Sequence, residues 1–143
     1  MTVRFGEVEV GTVLAPLEIP VTRTLVVAGA IASRDYQDVH HDPELARARG
    51  SKDIFMNILT TNGLVGRYIT DWAGPDATVT EVAIRLGAPN YPHDTMVLHG
   101  EVTGTTEGDG HGTVEVAVRG VNSLGDHVVG TVTVVLPLEE GGS

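Results

Sequence analysis

Apolar and polar residues alternate with a period of two through much of the second half of the chain. Val82, Ile84 and Leu86 alternate with Ala83 and Arg85, and Leu98, Gly100 and Val102 with Val97, His99, Glu101 and Thr103. Val114, Val116 and Val118 alternate with Glu115, Ala117 and Arg119, and Val132, Val134 and Leu136 with Thr131, Thr133 and Val135. The Gly108–Gly112 and Asn122–Asp126 connections between these runs are rich in turn residues. Such alternation with short connections predicts an antiparallel sheet with one face covered. Between Ser33 and Trp72 the period is that of a helix. Asp42-Pro43-Glu44-Leu45-Ala46-Arg47-Ala48-Arg49-Gly50 predicts a short helix, with Asp42 as N-cap, Pro43 in the first turn and Gly50 just past the end. A longer helix is predicted from about Ile54 to Trp72. On it Ile54, Ile58, Val65, Ile69 and Trp72 fall within about 60° of one another. Phe55, Leu59, Leu64 and Tyr68 flank that stripe and leave a narrow polar arc near Thr60, Arg67 and Asp71, the pattern of a buried helix about 28 Å long. The chain before Ala32 suggests short extended segments around Val8, Val10 and Val13, interrupted at Pro16 and Pro20. The apolar stretch Val21 to Ala32 fits either a strand or a short helix.

A long buried helix followed by a four-strand meander, with one or two earlier strands, implies one antiparallel sheet curled around a helix. That is the α+β hot-dog architecture. Its open sheet edges predict pairing with a second such unit, either a copy of itself or another hot-dog subunit. The 143 residues allow one domain, expected over residues 1–138, with Glu139-Glu140-Gly141-Gly142-Ser143 as a mobile tail.

Charge narrows the partners. Nine basic residues against nineteen acidic ones give a net charge of −10, and Lys52 is the only lysine. Clustered cations for phosphate neutralisation are lacking, which argues against nucleic acid and against a membrane surface. With no cysteine, disulfides, thiolate metal sites and cysteine nucleophiles are excluded. The longest apolar run, Leu25 to Ala32, is too short to span a bilayer, and no charged region precedes an apolar stretch at the start. A cytoplasmic protein is expected.

The densest ionisable segment is Arg34-Asp35-Tyr36-Gln37-Asp38-Val39-His40-His41-Asp42. A bend could bring Asp35 and His40 face to face, where an aspartate and a histidine can hold one water for acid–base chemistry. A solvated charged loop would have the same spacing. A metal site from Asp35, Asp38, His40, His41 and Asp42 lacks spaced ligands elsewhere, so no metal is expected. His99 and His127 suit structural positions on strands, His93 a turn, Arg85 and Arg119 an outward sheet face, and Trp72 the helix core.

The stretch Ser33–Ala46, followed by Gly50, resembles the signature of MaoC-like (R)-specific enoyl-CoA hydratases: Ser-Gly-Asp-x-Asn-Pro-x-His-x-Asp, then a small residue and a glycine. The resemblance extends from about Val21 to Pro137 and includes Tyr91-Pro92-His93-Asp94-Thr95, similar to a family turn. The wording of Gly50–Leu59 and of Thr70-Asp71-Trp72-Ala73-Gly74-Pro75 is similar to small MaoC-like subunits of actinobacterial steroid (cholesterol) side-chain hydratases, which work with a larger MaoC-like partner. The resemblance implies syn addition of water to a trans-2-enoyl-CoA thioester. Asp35 and His40 match the catalytic pair. The backbone N–H of Ile58, beside Asn57, matches the oxyanion and substrate-binding position at the start of the long helix. It implies no separate cofactor, since CoA belongs to the substrate. Arg34, Gln37 and Asp38 depart from the family's glycine, asparagine and proline, and Asn57-Ile58 from its usual His-Gly. These departures keep open a non-catalytic subunit that completes a partner hydratase. A thioesterase using a helix-borne carboxylate is disfavoured, because no acid lies between Ile54 and Thr70.

Overall fold

The computed structural model describes residues 2–138, so the expected tail at 139–143 lies outside the described residues. Strand β1 (Val13–Val21) leads into helix α1 (Arg23–Ala32). A 3-10 turn (Asp38–His40), the short helix α2 (Pro43–Ala48) and the long helix α3 (Ile58–Ala73) follow. Strands β2 (Thr78–Leu86), β3 (Asp94–Gly108), β4 (His111–Asn122) and β5 (Gly125–Pro137) complete the fold. All pairings are antiparallel and the sheet order is β1-β3-β4-β5-β2. The sheet curls around α3 in the hot-dog arrangement expected from the sequence. The meander is shorter than expected: only β3-β4-β5 run as neighbours, while β2 crosses to the far edge beside β5.

The ambiguous stretch after Val21 resolves as a helix because Thr22 caps it, its hydroxyl accepting the Leu25 N–H. Pro16 and Pro20 lie within β1 instead of ending it. This is possible because β1 is an edge strand with a register shift between Leu14 and Leu17. Helix α2 forms as predicted: the Asp42 carboxylate accepts the Leu45 N–H, Pro43 opens the helix, and Gly50 follows at φ 93°.

Helix α3 begins four residues later than predicted, at Ile58. The apolar run Ile54–Met56 is extended instead, with Phe55 N–H on the Val39 carbonyl and Met56 N–H on that of Asn90. Nor is α3 buried all round. Thr61, Val65, Tyr68, Ile69 and Ala73 face the sheet, while Ile58 and Leu59 are half exposed. A single curled sheet covers only one side of its helix. Tyr68 lies close to β3 at Gly100, where a side chain would crowd its ring, and its hydroxyl donates to the Ala15 carbonyl. The core joins Val65 and Ile69 to Leu98, Val116, Val132 and Val134. No helix among the described residues is long and apolar enough to cross a membrane.

Candidate active site

The end of α1 determines where Asp35 points. Arg34 N–H bonds to the Ile31 carbonyl and Asp35 N–H to that of Ala30, with Arg34 at φ 57° between them. This is a Schellman termination, in which the left-handed residue turns the chain sharply back. It fixes the Asp35 backbone directly to the helix. Three residues on, the 3-10 turn places His40 with its side chain only 8% exposed.

Asp35 and His40 meet: His40 Nε2 lies 3.3 Å from Asp35 Oδ2. The other ring nitrogen, Nδ1, is 2.7 Å from the Phe55 carbonyl oxygen. A carbonyl only accepts, so Nδ1 carries the hydrogen, and a neutral imidazole presents its Nε2 lone pair towards Asp35. The Phe55 ring packs edge-on against the imidazole, with centroids 5.0 Å apart, and fixes its plane. Two acceptors side by side leave a place where one water can donate a proton to each.

Asn57 sits behind this pair and is 2% exposed. Its amide nitrogen donates to Ser33 Oγ at 2.9 Å and to Asp35 Oδ2 at 3.2 Å. Its carbonyl oxygen accepts the Thr60 N–H at 3.1 Å and the Thr60 hydroxyl, which makes it the N-cap of α3. Ser33 Oγ in turn donates to the Gly29 carbonyl at 2.7 Å. Burial opposes charge on Asp35, but the hydrogen bonds from Asn57 and the Gln37 N–H, joined by charge attraction to His40 whenever its ring is protonated, outweigh it and hold the carboxyl below its usual range. Among the described residues the N–H groups of Ile58 and Leu59, in the first turn of α3, have no hydrogen-bond partner.

Of the other ionisable groups singled out in the sequence, Asp38 pairs with Arg49 at 2.9 Å, Asp42 caps α2 and His41 is exposed. No three His, Cys, Asp or Glu side chains among the described residues are grouped to hold a metal. His127 is 1% exposed; its Nδ1–H donates to the Ala88 carbonyl and its Nε2 accepts the Thr61 hydroxyl, which pins α3 to β5. His99, Arg85 and Arg119 face outward, and Trp72 packs only partly against the core. Sequence reasoning missed two groups, Ser33 Oγ and the Phe55 carbonyl. Ser33 Oγ could have been found by asking what accepts the second N–H of a buried Asn57; the carbonyl left no trace in side-chain identity.

Residues 5–123 match the family model described as the MaoC like domain. The chain is 52% identical over 123 residues to the 3-oxo-4,17-pregnadiene-20-carboxyl-CoA hydratase beta subunit of Mycobacterium tuberculosis, covering 86% of this chain and 92% of that one. Its fold is similar to a chain of the ChsH1-ChsH2 complex from Mycobacterium tuberculosis, with TM-score 0.83 and 51% identity over 90% of this chain and 98% of that chain. The unliganded R-hydratase PhaJ1 from Pseudomonas aeruginosa shares the fold at TM-score 0.86 and 22% identity, over 96% of this chain and 88% of that chain.

Proposed function

This chain belongs to the MaoC-like domain family, and from that premise we propose that it hydrates a trans-2-enoyl-CoA thioester as the dyad-bearing subunit of a complex of two MaoC-like chains. One observation carries the reading: His40 Nε2 lies 3.3 Å from Asp35 Oδ2, while Nδ1 is committed to a backbone carbonyl. One water donates to both groups. Its oxygen bonds to the β carbon as a proton passes to the pair, and the pair returns a proton to the α carbon on the same face. The product gains one H and one OH, with no redox change and no cofactor. Negative charge that develops on the thioester oxygen meets the Ile58 N–H at the positive end of α3.

The acyl group follows from two supports. The 52% identity is to a subunit whose name specifies a steroid-type acyl-CoA. In addition Ile31, Tyr36, Ile58 and Leu59, which flank the dyad in sequence or through the Asn57 bridge, are all at least half exposed. That apolar surface suits a bulky acyl chain and a covering subunit.

The test uses the chain purified with its second MaoC-like subunit. Asp35→Asn and His40→Asn each lower hydration, followed as loss of the enoyl-thioester absorbance, by about 10²–10⁴-fold while the complex stays intact. Full turnover in both variants would move the chemistry to the other subunit and leave this chain a structural role. Release of free CoA by the native complex would indicate a thioesterase instead.

A further inference from the structure

We propose that Asn57 is a positioning residue that couples the Asp35 carboxylate to the first turn of α3, so that the acid–base pair and the oxyanion donor are aligned by one side chain. This rests on the hydratase reading above and deepens it.

The argument begins with satisfaction. A primary amide has two N–H donors and one carbonyl acceptor with two lone pairs. Asn57 uses all of them within the chain: the donors on Ser33 and Asp35, the acceptor twice on Thr60. No donor is left over for a substrate, so its role is exerted through what it holds. It is 2% exposed, and a buried network satisfied at every atom admits a single arrangement.

Two parts of the site would otherwise be independent. Asp35 is carried by the end of α1, and the Ile58 N–H by the start of α3. Asn57 closes the gap between them: its nitrogen grips Oδ2, the oxygen nearest His40, while its oxygen caps the helix whose next residue supplies the unpaired N–H. The N–H aimed at Oδ2 favours the charged carboxylate. The charged groups around Asp35 are few. His40 faces it from the 3-10 turn, Asp38 in the same turn is paired with Arg49, the neighbouring Arg34 is exposed, and the first turn of α3 brings no acidic side chain.

The variants separate the two functions of the amide. Asn57→Asp and Asn57→Ser keep an oxygen for the helix cap but remove the N–H on Asp35; Asn57→Ala removes both. In the full complex, Asn57→Ser and Asn57→Asp should move the acidic limb of kcat/KM upward by about one pH unit, more for the aspartate because of its like charge. The carboxyl carbon of Asp35, followed by NMR, should titrate higher by the same amount in the isolated chain. Asn57→His, which restores a donor, should return part of the shift. An Asp35 titration identical in the native protein and in folded Asn57→Ser overturns the inference, and so does an unmoved acidic limb in both cap-retaining variants. Turnover retained in Asp35→Asn would instead overturn the hydratase reading, and the NMR titration would still decide the coupling.

Discussion

Arg34 occupies a backbone conformation that suits glycine. At φ 57° its Cβ crowds the neighbouring carbonyl, at a cost of about 1 kcal/mol. Replacing it with glycine should therefore raise stability by about 0.5–1 kcal/mol, read as a higher urea midpoint, with Asp35 still in place because the two Schellman hydrogen bonds use backbone alone. Arg34→Val should lower the midpoint, since a β-branched residue tolerates this region least. His127 makes a second prediction. Burial lowers its pKa, more than its bond to the Ala88 carbonyl raises it, so the folded state binds fewer protons than the unfolded state. Stability is then fully present above the unfolded value of about 6.5 and declines as pH falls toward the lower folded value. The urea midpoint should drop between about pH 7 and about pH 5, and His127→Gln should flatten that slope. An equal slope in both proteins would place the acid sensitivity elsewhere. The sequence carried part of this picture. Asp35 and His40 were singled out by the MaoC-like resemblance, because their type and spacing alone fit a solvated loop as well, and the structure brings them together. The left-handed Arg34 was not foreseen, because only the local hydrogen bonds reveal it. Nor was the Asn57–Asp35 contact, which joins residues 22 positions apart.

Helices α1 and α3 meet at Gly29, where an added methyl would collide with the Thr60 side chain. Gly29→Ala should cost about 1–3 kcal/mol from this overlap, offset in part by about 1 kcal/mol of helix propensity. Because α1 carries Ser33 and Asp35, hydration should fall as well. Adding Thr60→Ala removes the obstructing atoms, and the double variant should be more stable than the sum of the single changes predicts by at least about 0.5 kcal/mol. Additive effects in a thermodynamic cycle would show that the helices do not press together there. The same scale explains which elements could be read in advance. Helix α2 was legible because its signals are local: Asp42, Pro43 and Gly50 act within a few residues of the helix. The start of α3 was misplaced because Ile54 and Phe55 continue a helical apolar rhythm, while partners from Val39 and Asn90 hold that segment extended. The place of β2 was equally hidden. Alternation marks a strand but does not say which neighbour it takes, and β2 pairs with β5 across a long connection.

The two sheet edges differ. Strand β1 carries Pro16, Pro20 and a register shift, all of which hinder a further strand from adding to it. Strand β2 has no proline, and its inward residues Val79, Val82, Ile84 and Leu86 are only partly buried. It borders α3, whose Ile58 and Leu59 are also half exposed. If the second subunit covers this side, Val82→Lys should weaken the complex by about tenfold or more, measured by sedimentation, because an inward-pointing charge would have to be desolvated on pairing. A circular dichroism spectrum like that of the native chain would exclude simple unfolding. The groups that hydrogen-bond within the Asp35–His40 pair and its supports all come from residues 29–60, and among the described residues no sheet side chain hydrogen-bonds to either member of the pair. On the hydratase reading, the proposed chemistry is therefore a cassette plugged into a generic scaffold. A chimaera that grafts this single stretch onto another hot-dog protein would then transplant the acid–base pair together with the apolar surface of Ile31, Tyr36, Ile58 and Leu59, so reaction type and acyl preference would travel as one unit within the architecture.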